Sequence, residues 1–121
     1  NNLSYISRDG QLDLEDQDGQ IIQGKDAVAD LKAEWQQGGF PIPQHSTKRD
    51  AFHLILSMPT LTDPLAVQRA ARDFATREFS NHQYAMVLHT LETDPDPNPA
   101  RHPHVHLTVK TAGLDGTRLN P

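Results

Sequence analysis

The run His102-Pro103-His104-Val105-His106-Leu107-Thr108-Val109-Lys110 reads as a β-strand over 103–110 with its histidines spaced by two. Successive strand side chains point to opposite faces, so His104, His106, Thr108 and Lys110 share one face and Val105, Leu107 and Val109 the other. A metal-binding edge thus lies on the back of a hydrophobic core. Residues two apart in a strand are about 6.6 Å apart at the backbone, near enough for two imidazoles to meet one ion at about 2.0–2.2 Å. Residues four apart are not, so His102 is not expected to join His104 and His106. A third ligand has to come from a neighbouring strand, and Tyr84-Ala85-Met86-Val87-Leu88-His89 ends in one. An antiparallel hairpin closed by the loop Asp94-Pro95-Asp96-Pro97-Asn98-Pro99 would set His89 beside the pair.

Outward from this hairpin, Phe52-His53-Leu54-Ile55-Leu56-Ser57-Met58 alternates as a strand, with His53 and Ser57 opposite its apolar face. Asp63 as N-cap and Pro64 at the first helical position start a helix carrying Val67, Ala70, Ala71, Phe74 and Phe79 on one stripe. Val28, Leu31 and Trp35 mark a second helix over 26–37, stopped by Gly38-Gly39. Phe40-Pro41-Ile42-Pro43 is an extended connector. Residues 1–8 read as the end of a helix with Asp9-Gly10 as its stop, and Asp18-Gly19 joins two short strands in a small peripheral ribbon. The parities of the three longer strands agree. Leu54, Leu56, Met86, Leu88, Val105 and Leu107 fall on one face, and His53, Ser57, His89, His104, His106, Thr108 and Lys110 on the other. The fold class expected is α+β, an antiparallel sheet with helices packed on one face and a polar site on the open one.

At 121 residues the chain has the length of one domain. It has no cysteine, so disulfides and thiolate sites are excluded and a metal must be held by His, Asp or Glu. Its net charge of −5 argues against a non-specific nucleic-acid coat, which needs basic residues to neutralise phosphates. No apolar run approaches membrane-spanning length and no signal peptide is visible, so a soluble cytoplasmic protein is the expectation. The chain opens without methionine and reads as a fragment.

Three histidines on an open sheet face suit a divalent cation acting as a Lewis acid on a carbonyl or phosphoryl oxygen, and spacing alone leaves the substrate open. His104-Val105-His106, with His89 on the adjacent strand, resembles the histidine–hydrophobe–histidine motif of the HUH endonucleases. Tyr5-Ile6-Ser7-Arg8-Asp9-Gly10-Gln11-Leu12, the strand Phe52 to Met58, and the histidine run then follow the order of mobilization relaxases. The nearest pattern is that of the P-type relaxases, which include the T-DNA border nuclease.

That resemblance implies that residues 1–121 are a relaxase catalytic domain lacking its first strand and C-terminal part. It also implies a nicking and rejoining activity on single-stranded DNA at an origin of transfer, through a 5′-phosphotyrosine intermediate. Tyr5 matches the nucleophile and His89, His104 and His106 the ligands of Mg²⁺ or Mn²⁺, a site that imidazole chemistry would also open to Zn²⁺ or Ni²⁺ in a preparation. Relatives place an aspartate two residues after the first histidine. Here that place is Leu91, leaving Glu92 and Asp94 as the candidate acids. His53, Ser57, Lys110 and Arg8 are candidate DNA contacts, with Lys48 and Arg49 as weaker ones. Accessory DNA-processing proteins and a conjugative secretion apparatus are the partners implied, with no membrane insertion and with export alongside DNA. The rival readings are a non-catalytic single-stranded DNA-binding module, a three-histidine hydrolase using water, and a metal-binding protein without activity.

Overall fold

The computed structural model describes residues 2–38, 50–59 and 62–119. Along the chain run α1 (Asn2–Ile6), β1 (Leu14–Asp16), β2 (Ile21–Ile22), α2 (Lys25–Gln37), β3 (Ala51–Ser57), α3 (Pro64–Glu78), β4 (Tyr84–His89) and β5 (His104–Lys110). The strands form one antiparallel sheet in the order β2-β1-β4-β5-β3. The fold class is α+β, as the strand parities require. No helix among the described residues is long and apolar enough to cross a membrane.

The central hairpin pairs His89 with His104, Val87 with His106 and Met86 with Leu107. On one face, Tyr84, Met86, Val105, Leu107 and Val109 pack against Val67, Ala71 and Ala75 of α3, with Leu56, Phe74 and Phe79 at the margin. Asp63 caps α3 by accepting a hydrogen bond from the Leu65 amide, and Pro64 occupies its first turn. Tyr84 is core, as its parity predicts, and its hydroxyl lies 3.3 Å from Thr76 Oγ1.

The opposite face is not open along its length. Ala85, Val87 and Leu14 are covered by Leu3 and Ile6 of α1 and by Val28, Leu31 and Trp35 of α2, so helices lie on both faces of the sheet. The expectation of helices on one face is corrected by this second core. Its physical sign is the unbroken apolar run Tyr84 to Leu88, since a strand buried on both sides loses its alternation. Trp35 is helix packing, buried in that core.

The small ribbon is not peripheral either. β1 hydrogen-bonds to β4, with Glu15 opposite Met86. Glu15 therefore points toward α3, where Arg72 grips it through Nε (2.6 Å) and Nη2 (2.8 Å). Asp16 Oδ1 accepts from the amides of Asp18 and Gln20, and Gly19 takes the left-handed conformation (φ 76°) that closes the hairpin. Replacing Arg72 with alanine strands a buried carboxylate, so the urea unfolding midpoint should fall by the equivalent of about 2 kcal/mol, and Glu15→Gln combined with it should recover part of the loss.

Candidate metal centre

His89 ends β4 and His104 and His106 open β5, so the register that pairs the strands also brings three imidazoles to one end of the sheet. One ring nitrogen from each lies within 4.8 Å of those of the other two. Ring centroids are 4.2 Å apart for His89 and His106, 5.1 Å for His89 and His104, and 5.0 Å for His104 and His106. Among the described residues this is the group that fits a metal ion.

The hydrogen bonds decide which nitrogens are free. His89 Nε2 lies 2.7 Å from the Ile6 carbonyl, which only accepts, so Nε2 carries the proton. His89 Nδ1 is then a lone-pair donor, and it is fully buried with no hydrogen-bond partner. His104 Nδ1 donates to the His102 carbonyl at 3.2 Å, freeing Nε2. His106 Nδ1 is engaged by His53 Nε2 at 2.7 Å, again leaving Nε2. Each histidine thus spends one nitrogen on the protein and keeps one for a ligand, the arrangement that orients metal-bound imidazoles. Nitrogens bound to one ion at about 2.1 Å are at most about 4.2 Å apart, so small ring rotations close the triad. An orphaned buried nitrogen in a set of three imidazole donors fits a divalent cation.

A second cluster adjoins the first. After α1 the chain turns through three left-handed residues, Arg8 (φ 52°), Asp9 (φ 56°) and Gly10 (φ 86°). A side chain at Gly10 would strike the Gly24 backbone, and buried Ser7 locks the turn by donating to the Leu3 carbonyl and accepting from the Gly10 amide. The turn aims Arg8 at Asp94, which accepts from Arg8 Nε at 3.0 Å and Nη2 at 3.2 Å. The Arg8 guanidinium also lies over the Tyr5 ring, 5.2 Å from its centroid. Asp94 Oδ2 sits 3.5 Å from His89 Nδ1, so Tyr5, Arg8, Asp94 and His89 form a continuous chain of contacts.

These surroundings set the charges. Burial, followed by neighbouring His89 and His104, pushes His106 down to about 3, and burial likewise lowers His89 and His53. The Arg8 guanidinium holds the Asp94 carboxyl below its ordinary range. His89 and His106 are accordingly held neutral at physiological pH, the form in which an imidazole binds metal. In metal-free protein this has a stability consequence of definite sign. Below the ordinary imidazole pKa of about 6.5 the unfolded chain takes up protons that native His106 refuses. Its contribution is complete above about pH 6.5 and is lost progressively toward about pH 3. Urea midpoints measured in a chelator should therefore drop between about pH 7.5 and about pH 4.5, and the slope should flatten in His106→Gln.

Several expected site residues stand elsewhere. Lys110 lies on the histidine face but is wholly buried, its ammonium donating to the Gly38 carbonyl (3.1 Å) and Gln83 Oε1 (3.3 Å). The end of α2 overlies it, so it is not a surface contact for phosphate. Arg8 is paired with Asp94 rather than presented as a free cation. Glu92 is exposed on the turn 91–93 and outside the triad, whereas Asp94 is buried against it. Ser57 is exposed opposite His104, and His53 reaches His106. His102 is exposed; its carbonyl accepts from His104 Nδ1 and its ring lies 6.1 Å from that of His104, outside the triad. Lys48, Arg49 and the Phe40–Pro43 connector lie outside the described residues. The Ile6 carbonyl, which fixes His89, was missed, and no side-chain pattern marks it.

The class this defines is an α+β domain that presents three clustered imidazoles able to hold a metal ion, beside an arginine–aspartate pair and a tyrosine. The family model "Relaxase: MobA/VirD2-like, nuclease domain" matches residues 5–121, and the chain belongs to that family. It is 29% identical over 129 residues to the T-DNA border endonuclease VirD2 of Agrobacterium fabrum, covering 96% of this chain and 27% of that protein. The namesake from Rhizobium radiobacter is 29% identical over 96% of this chain and 28% of its own length, and that from Rhizobium rhizogenes 28% identical over the same shares. The chain spans about a quarter of the length of these relatives. No solved structure matches it.

Proposed function

We propose that residues 1–121 act as part of a relaxase catalytic domain, a metal-dependent DNA strand transferase that nicks at an origin of transfer. The observation that carries this reading is the convergence of His89, His104 and His106, each with one nitrogen left free, in a chain of the relaxase family. A divalent cation held by these nitrogens, Mg²⁺ or Mn²⁺ in function, would polarise a phosphoryl oxygen and offset the charge that gathers there.

The chain's own residues supply the rest. Tyr5 gives its phenolic proton to water and attacks phosphorus, a Tyr5 Oη–P bond forms, the bond to the 3′-oxygen breaks, and that oxygen takes a proton from water and leaves as a 3′-hydroxyl beside a 5′-phosphotyrosine. An ordinary phenol has a pKa near 10, so attack near neutrality needs a cation or a base beside it. Arg8, over the Tyr5 ring, is that cation. Asp94, held as a carboxylate by Arg8, is a weak base and acts instead as the anchor that keeps Arg8 in place. Exposed His53 and Ser57 line the approach from the β3 edge. Because the covalent link conserves the phosphodiester, the same site rejoins strands. The reading carries with it accessory DNA-processing proteins and a conjugative secretion apparatus as partners, and a cytoplasmic site of action.

A second reading, hydrolysis by water, is favoured by one observation: the Tyr5 side chain is 61% exposed, while the triad is assembled without it. Labelled single-stranded DNA from the chain's own element, incubated with protein and Mn²⁺ and run on a denaturing gel, separates the two. A protein-linked band supports the tyrosine. Cleavage without a linked band supports water, and no cleavage at all removes both.

A further inference from the structure

His53 was expected to touch DNA, yet its ring faces the metal centre. It sits on β3 diagonally across from His106, whose direct partner in the ladder is Ile55. Diagonal neighbours on one sheet face lie within reach of aromatic side chains. His53 Nε2 approaches His106 Nδ1 to 2.7 Å, the two rings are within 9° of parallel, and their centroids are 4.9 Å apart. That separation exceeds the nitrogen–nitrogen distance by about two ring radii. The imidazoles therefore lie end to end in one plane, in a straight N–H···N hydrogen bond, rather than stacked face to face.

One proton is shared between these nitrogens, and its place follows from the ligand role of His106. An imidazole that gives the Nε2 lone pair to a cation keeps its proton on Nδ1, so His106 is the donor and His53 Nε2 the acceptor. We propose that His53 is a positioning residue for the metal centre, fixing the tautomer and plane of His106 through this bond. The inference rests on the metal reading of the triad. Each ligand then has its own fixed acceptor: the Ile6 carbonyl for His89, the His102 carbonyl for His104 and an imidazole for His106. Two are backbone atoms beyond the reach of substitution. His53 is the side-chain member, on an exposed edge strand where replacement disturbs little packing.

The test measures Mn²⁺ affinity by titration calorimetry in the absence of DNA, for wild type, His53→Phe and His53→Gln, with thermal unfolding of each apo-protein as the folding control. Phenylalanine keeps the planar bulk and removes the acceptor, so Mn²⁺ affinity should fall about tenfold to a hundredfold, the range for loss of an outer hydrogen-bond partner. Glutamine returns an amide oxygen near the Nε2 position and should restore most of it at unchanged melting temperature. Equal affinity in all three proteins overturns the role of His53 and leaves the metal centre standing. Equal losses in Phe and Gln also overturn it, since a packing effect alone would give that pattern. Wild type that binds no Mn²⁺ overturns the metal reading, and the role with it.

Discussion

Tyr5→Phe is expected to abolish the covalent protein–DNA band while leaving Mn²⁺ binding and the melting temperature near wild type. Position 5 lies on the outer side of α1, its ring largely in solvent, and the residues that dock the helix are Leu3 and Ile6. Removing one hydroxyl there leaves no cavity and no stranded partner in the core. The lost function is nonetheless complete for a tyrosine transferase, because no other described tyrosine replaces it: Tyr84 is buried in the α3 core with its hydroxyl beside Thr76. A denaturing gel with 5′- and 3′-labelled strands checks the outcome. Retention of the band in Tyr5→Phe would move the nucleophile elsewhere, and retention of cleavage without any band would transfer the reaction to water. Arg8→Ala offers a graded companion. It frees Asp94 and removes the cation from Tyr5, so adduct formation should slow while Tyr5 itself remains.

The hairpin and its triad were legible because the strand period is two and hydrophobic alternation in 103–110 is nearly unbroken. His104 and His106 had to share a face, and an antiparallel return through the long proline-rich loop was expected to bring His89 beside them, as it does opposite His104. The helix starting at Asp63-Pro64 was legible for an equally local reason, a side-chain cap followed by a fixed φ. What escaped depends on which segments meet in space. Arg8 and Asp94 are 86 residues apart, and no local pattern couples an arginine in a turn to an aspartate in a proline-rich loop. Parity placed Lys110 on the histidine face, but its burial comes from the end of α2, a tertiary event. His53 was placed on the correct face, and its engagement with His106 depends on the β3–β5 register, which two separate strands do not reveal.

His106→Ala is expected to cause the largest loss of metal binding of any single change in the triad. His106 is buried, lies nearest to His89 of the other two ligands and is the one gripped by a second imidazole. Losing an outer partner typically weakens a site about tenfold to a hundredfold, so losing the ligand itself should exceed about a hundredfold. Alanine also leaves His53 Nε2 without its partner and opens space beneath β3, yet it removes the buried imidazole that resists protonation. The two effects on apo stability oppose each other: a cavity lowers it at neutral pH, while relief of the proton mismatch raises it relative to wild type as the pH falls. Mn²⁺ titration and urea midpoints on the same protein therefore separate ligation from folding. Affinity should collapse at every pH where wild type binds, whereas the difference in stability between the two proteins should shrink from neutral to mildly acidic conditions. An affinity within a few-fold of wild type would mean that the three nitrogens do not act on one ion.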